Sequence, residues 1–341
     1  MKAEEYSKSI TKLALLLILG VIMIGVAWLM TRPNGDKQKL HRQRQEFFAL
    51  TGAQLLGQEE QRNRDAIERA KGQLATHVSD YRKGVPKFAE DLTTWGTRYA
   101  IAAASVRDWW SSSNEARKVA TEQFAKFVVS DKTLQKDVTG VIAQFSSDLE
   151  ANRNKMLSEL QEKASTAAVP CASTEMGSTN IAGAFMLEVQ PLIKARATQS
   201  PIIGVLATGG GFFVGEAATQ IVTRLLTSMA ARVASGAAVR GSAVAAGVLV
   251  GGEGGTVLAP GVGTAIGITG GIIVGCAVDW WMEKRFKEKV TGECNQILAD
   301  MEKALWADAS QGLEGTFTRA IKTTRECHEI ALRKIITGDT K

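Results

Sequence analysis

The stretch "SDKTLQKDVTGVIAQFSSDLE", residues 130–150, decides the fold class. Five of its apolar residues are spaced by three or four positions: Leu134, Val138, Ile142, Phe145 and Leu149. This spacing places them on one face of a helix. Ser130 stands directly before the pattern and is a candidate N-cap. The stretch therefore predicts an amphipathic helix that must bury its apolar face against other helices.

The same periodicity continues on both sides of this stretch. On the N-terminal side it comprises Phe88, Leu92, Trp95 and Tyr99, and on the C-terminal side Val290, Ile297, Met301, Leu305, Leu313, Phe317, Ile321, Leu332 and Ile335. We therefore predict an all-α protein with a helical bundle or stalk at 37–196 and C-terminal helices at 283–341 that pack back on it. Pro86 is expected to end or start a helix, and Cys171 to lie exposed in a loop.

Composition and charge restrict the function classes. The 341 residues carry a net charge of +6, from 41 basic and 35 acidic residues that are spread along the chain. So small and dispersed an excess does not indicate nucleic acid as a partner. It is compatible with a weak preference for anionic lipid headgroups.

Residues 13–31, "LALLLILGVIMIGVAWLMT", carry no charge and follow a short polar tail, 1–12. As a helix this segment is about 29 Å long, close to the thickness of the hydrocarbon core of a bilayer. Trp28 lies near its end, as an interfacial aromatic residue does. We predict an uncleaved transmembrane anchor. More basic residues follow than precede it, which favours a cytoplasmic bundle, and we expect a bacterial inner membrane.

A glycine-rich apolar region, 197–282, follows the bundle. Of the 33 glycines in the chain, 18 lie between Gly204 and Gly275. One row recurs every fourth residue and would form a groove free of side chains on one helix face: Gly263, Gly267, Gly271 and Gly275. In lipid, helices associate through such close backbone approach. Candidate partner surfaces contain Gly211 and Gly215, and Gly247 and Gly251, so the region predicts a membrane hairpin that packs on itself or on other copies.

Charged and aromatic residues border this region. Asp279 continues the glycine face and precedes Trp280 and Trp281, which fits a membrane–water interface. Asp279 could instead pair with an arginine across a helix interface. Three arginines recur every eight residues between the two charge-free runs: Arg224, Arg232 and Arg240. They could lie on anionic lipid, line a wet passage between protomers, or belong to a solvated connector.

With its glycine row at 261–281, the chain resembles glycine-zipper membrane proteins, a class that has no single activity. The order of bundle, apolar hairpin and C-terminal helices also resembles α-helical pore-forming toxins, although a secreted toxin would lack or lose the N-terminal anchor. These resemblances imply oligomers that pack in a bilayer.

Candidate catalytic and metal-binding motifs are absent from the sequence. It contains no P-loop, G-x-S-x-G or H-E-x-x-H motif, and its four cysteines and three histidines are scattered. We expect no catalytic residues, no metal and no cofactor. Cys294 and Cys327 fall on or beside apolar faces, so we expect buried thiols, or a disulfide if the domain is extracytoplasmic.

Two functions remain open. The first is a membrane scaffold or complex subunit that self-assembles through the hairpin and presents its bundle to a protein partner. The second is a pore or channel former, or a membrane-permeabilising effector. The longest charge-free run, 254–278, contains only threonines as polar groups. That favours dry packing, and hence the scaffold.

Overall fold

A computed structural model describes residues 35–94, 96–97, 115–169, 171–172, 180–197, 222–223, 285–307 and 312–339. This part of the chain contains no strand, which confirms the all-α prediction. Its seven α-helices are α1 (Gly35–Phe47), α2 (Ala53–Asp91), α3 (Glu115–Phe127), α4 (Asp131–Thr166), α5 (Ile181–Ala197), α6 (Phe286–Trp306) and α7 (Leu313–Thr337).

The first two helices form one long rod. α1, a π-helical turn at Phe48–Gly52 and α2 contain 13, 5 and 39 residues, and the residues at the junctions keep right-handed helical dihedrals. At 1.5 Å per residue the rod is about 85 Å long. Pro86 lies inside α2, so the prediction that it ends or starts a helix is wrong. Val85, Phe88 and Ala89 are buried around it, and their packing holds the helix together across the proline.

α4 lies antiparallel to α2. Ser130 caps it as predicted, because its side chain accepts a hydrogen bond from the Thr133 amide at 3.1 Å. The predicted apolar stripe of α4 is buried throughout. Two contacts between these helices show the antiparallel order. Arg69 of α2 forms an ion pair with Asp148 of α4 at 2.8 Å, and Tyr81 of α2 donates a hydrogen bond to Asp137 of α4 at 2.6 Å.

α6 and α7 follow one another along α2, which confirms that the C-terminal helices pack back on the bundle. In α6, Glu302 lies 3.1 Å from Arg82 of α2. In α7, His328 lies 3.0 Å from Glu59 of α2, some six turns away. α5 packs mainly on α7, where Glu188 pairs with Lys334 at 2.6 Å.

The buried side chains fall into two apolar clusters. We define the upper cluster as the group around α6 and the α2–α4 end that includes Val85, Phe88, Phe124, Phe145, Val290, Cys294, Trp306 and Phe317. The lower cluster surrounds α5 and the C-terminal half of α7 and includes Leu55, Leu56, Met156, Leu160, Cys171, Phe185, Cys327 and Leu332.

One close backbone contact occurs beside the upper cluster. A Cβ atom on Gly84 of α2 would collide with the carbonyl oxygen of Phe127 at the end of α3. Gly72, twelve residues earlier on the same helix, has nothing within 4 Å of that position. Gly84 is therefore required by the approach of α3, whereas Gly72 is not.

Within the described residues, no helix is both long and apolar enough to cross a bilayer. The predicted anchor, 13–31, lies outside them. So does nearly all of the predicted hairpin, 197–282, apart from Ala197 and the pair Val222 and Thr223. Val222 is fully buried in the upper cluster, so the chain contacts the bundle again after α5.

The burial of the cysteines agrees only in part with the sequence-based predictions. Cys171 is buried in the lower cluster rather than exposed, because the chain after α4 folds over α7 there. Cys294 and Cys327 are buried thiols, as expected, and neither is in a disulfide. They occupy the upper and lower clusters respectively, several helical turns apart, so the alternative of a bridge between them is incompatible with disulfide geometry.

Candidate functional site

A layer of polar side chains separates the two apolar clusters. We call it the polar layer; its members come from α2, α4 and α7 and are Glu59, Asn63, Asn152, Arg153, Thr324 and His328. On every one of these helices the layer interrupts a mainly apolar stripe of buried residues. Such groups are costly to bury unless they bind one another.

Glu59 and His328 form the centre of the layer. Their side chains are only 3% and 1% exposed, which excludes bulk water from the pair. His328 Nδ1 lies 3.0 Å from Glu59 Oε2, within hydrogen-bond distance. The His328 ring packs on Phe185 of α5 in a T-shaped arrangement, with 5.0 Å between the ring centroids. The pair therefore links α2 to α7, and the His328 ring also brings α7 into contact with α5.

Arg153 brings a buried positive charge from α4. Burial lowers the pKa of its guanidinium below the usual value, and the carboxylates of Glu150 and Glu59 oppose that change. Its Nη2 reaches Glu150 at 3.5 Å. Because Glu59 faces both Arg153 and His328, one carboxylate links three helices.

Hydrogen bonds and ion pairs extend from the centre to the rim. Asn152 donates to Asn63 at 2.9 Å between α4 and α2. Arg62 pairs with Glu159 at 3.2 Å, and Arg325 pairs with Glu60. These partners fix the axial position of α4 and α7 against α2.

Some polar atoms of the layer have no hydrogen-bond partner among the described residues. They are Arg153 Nε, Thr324 Oγ1 and His328 Nε2. The contacts of the layer join side chains of different helices, so the layer is suited to holding these helices in register. The described part of the chain also has no group of three His, Cys, Asp or Glu side chains able to hold a metal.

A surface cleft of about 560 Å³ lies between α5 and α7. Glu188, Glu329, Arg333 and Lys334 give it charges of both signs, and Pro191 and Leu192 are among its apolar lining residues. Leu187 and Ile330 are large apolar side chains exposed on these two helices.

Most residues predicted as functional lie outside the described part of the chain. This holds for the glycine rows at Gly211, Gly215, Gly247, Gly251, Gly263, Gly267, Gly271 and Gly275, for Arg224, Arg232, Arg240 and Asp279, and for Trp28, Trp280 and Trp281. The structure therefore leaves these assignments as predictions.

The sequence analysis missed the polar layer. Its signal was present in α2, where Glu59 and Asn63 occupy stripe positions between Leu56 and Ala66. A polar residue at such a position can equally turn outward, and the partner helix that decides between these outcomes comes about 270 residues later, at His328.

Comparison of the chain with family models, with curated proteins and with solved structures found no match in any of the three.

Proposed function

We propose that this protein is a non-enzymatic membrane scaffold: an integral membrane protein that self-assembles through its glycine-rich hairpin and displays the helical bundle to a protein partner. The observation that carries the proposal is the packing of α6 and α7 on α2. Because the chain on both sides of the glycine-rich region belongs to one bundle, that region must begin and end at the bundle. A hairpin that crosses a bilayer twice does so.

The burial of Val222 in the bundle limits which residues can form the two crossings of the proposed hairpin. Two crossings need about 40 residues, and the chain between Ala197 and Val222 offers about 25, so it cannot cross and return. We therefore locate both crossings after Val222, where the glycine row from Gly263 to Gly275 lies. Gly211 and Gly215 then precede the membrane hairpin instead of forming one of its helices.

The cleft between α5 and α7 supports the proposal that the bundle is displayed to a partner. The side chains at the centre of its polar layer are buried, whereas its cleft between α5 and α7 is open and partly apolar. A rigid body with an open cleft can bind a partner while the hairpin assembles copies in the bilayer.

The test combines alkaline extraction of the full chain from membranes with a measurement of its oligomeric state in detergent. We expect the wild type to resist alkaline extraction from membranes and to form oligomers in mild detergent. Gly267→Leu and Gly271→Leu should reduce these to monomers, because a leucine fills the groove. Ile272→Leu changes a residue off the glycine row at constant volume and is the matched control, with oligomers retained.

Conductance measurements separate this proposal from the alternative of a pore. A wild type that is silent in anionic-lipid bilayers and oligomeric supports the scaffold. Channel activity that both glycine variants abolish and Ile272→Leu preserves would replace the scaffold by a pore former. Oligomers unaffected by either glycine variant would refute assembly through the glycine row.

A further inference from the structure

The starting point is where the predicted membrane segments join the bundle, and this step rests on the function proposed above. The predicted anchor ends at residue 31 and α1 begins at Gly35. The predicted hairpin ends at residue 282 and α6 begins at Phe286. Because a chain extends by at most about 3.6 Å per residue, each helix must start within about 15 Å of its membrane segment.

These two helix starts lie at opposite ends of the bundle. α1 begins the 85 Å rod (about 1.5 Å per residue), and its His41 lies beside Asp339 after the end of α7. α6 runs the other way: Glu302 contacts Arg82, whereas Trp306 packs on Phe317, which in turn stacks on Phe145 nearer the middle. α6 is thus antiparallel to α2 and begins beyond the far end of that helix.

Exposed basic residues surround each of these points. Lys37, Lys39 and Arg42 lie in α1, and Arg285 and Lys287 begin α6. A third group, Lys194 and Arg196, ends α5, whose C-terminus lies beside Glu326 in the lower half of the bundle. We call these the start, far and middle basic patches.

We propose that the bundle lies lengthwise on the anionic surface of the membrane, with its three basic patches against lipid headgroups. An upright bundle would hold one of its two attachment points about 80 Å from the bilayer, and three linking residues cannot cover that distance. Headgroup phosphates attract exposed lysine and arginine side chains at each patch. The side of the bundle formed by α5, α6 and α7 carries the middle and far patches and faces the lipid.

The first experiment measures height above the membrane along the rod. The full chain is reconstituted in vesicles that contain phosphatidylglycerol and acceptor-labelled lipid. A donor fluorophore is attached through an unnatural residue at Gln38, Glu68 or Glu90, all exposed positions of the α1–α2 rod. A bundle that lies flat gives energy transfer at all three positions that agrees within about twofold.

The second experiment measures contact at the patches. Lysine acylation, read by mass spectrometry, is compared between vesicles with and without phosphatidylglycerol. We expect protection of about fivefold at Lys194 and Lys287. Lys132 is the internal control: it is exposed on α4, a helix that packs on α2 and has little contact with α6, and its acylation should not change.

The outcomes separate this inference from the proposed function. A chain that alkaline extraction removes from the membrane overturns both. A chain that resists extraction but shows transfer at Gln38 and none at Glu90 overturns the flat orientation alone. Tethering of two vesicle populations by one chain also overturns it, because the bundle would then bridge two membranes. Protection of Lys132 equal to that of Lys287 overturns the assignment of the contacting side.

Discussion

The two apolar clusters and the polar layer between them hold the same helices together in different ways. In the clusters, side chains such as Phe145 and Phe317 stack at 3.9 Å, and their contribution comes from burial, which depends little on direction. In the polar layer, Glu59 and His328 meet through one hydrogen bond that only one alignment of α2 and α7 permits. We therefore expect the clusters to supply most of the stability and the layer to specify register.

The largest expected effect is in the upper cluster. Phe317→Ala removes a fully buried ring that contacts Phe145 and Trp306, and should lower the free energy of unfolding by about 4 kcal/mol. Urea denaturation of the bundle followed by circular dichroism measures it. Leu50→Ala, at a position 76% exposed, is the control and should change stability by less than about 0.5 kcal/mol. A loss below about 1 kcal/mol for Phe317→Ala would contradict the packing described.

The second prediction tests whether the polar layer contributes to stability in a different way from the apolar clusters. Glu59→Leu should cost about 3 kcal/mol, because it leaves Arg153 and His328 buried without their shared carboxylate. Replacing all three residues together, as Glu59→Leu, Arg153→Met and His328→Leu, should restore much of that stability. The same denaturation series measures both. A combined variant that loses the sum of its parts would show that the layer stabilises the bundle rather than only aligning it.

A smaller effect tests the fit of α3 on α2. Gly84→Ala should lower stability by about 2 kcal/mol, because the added methyl group meets the backbone at Phe127. Gly72→Ala is the matched change on the same helix, and should raise stability by about 0.5–1 kcal/mol since alanine favours a helix and the site is open. Thermal unfolding distinguishes the two, and equal shifts of Tm in the same direction would refute the close approach.

The smallest effect concerns Tyr81, at the polar edge of the upper cluster. Burial, and then its hydrogen bond to Asp137, raise the pKa of Tyr81 above its usual 10.0. Its contribution to stability is complete below pH 10.0 and declines as the pH rises further, because the unfolded chain then releases a proton that the folded chain retains. Tyr81→Phe should cost about 1 kcal/mol at neutral pH and flatten the decline, as a series of unfolding curves at alkaline pH would show.

The sequence predicted the buried apolar faces of the helices and not the polar layer, for a physical reason. An apolar stripe such as Leu134 to Leu149 must be buried whatever covers it, so helix type and buried face follow from spacing alone. The partners of Glu59 and Arg153 depend on the alignment of helices far apart in the chain. Pro86 shows the converse: a strong local signal for a helix boundary was overridden by the burial of Val85 and Phe88 beside it.

Buried thiols lie in both halves of the bundle, so their alkylation can report on the opening of each half separately. Cys294 lies in the upper cluster, whereas Cys171 and Cys327 lie in the lower cluster, where burial raises the pKa of both thiols and so slows their alkylation. Trapping these thiols in the native protein therefore reports how often each half opens by itself. If the polar layer marks the boundary between two cooperative units, the upper and lower cysteines will be trapped at different rates, and the bundle will behave as two neighbouring foldons.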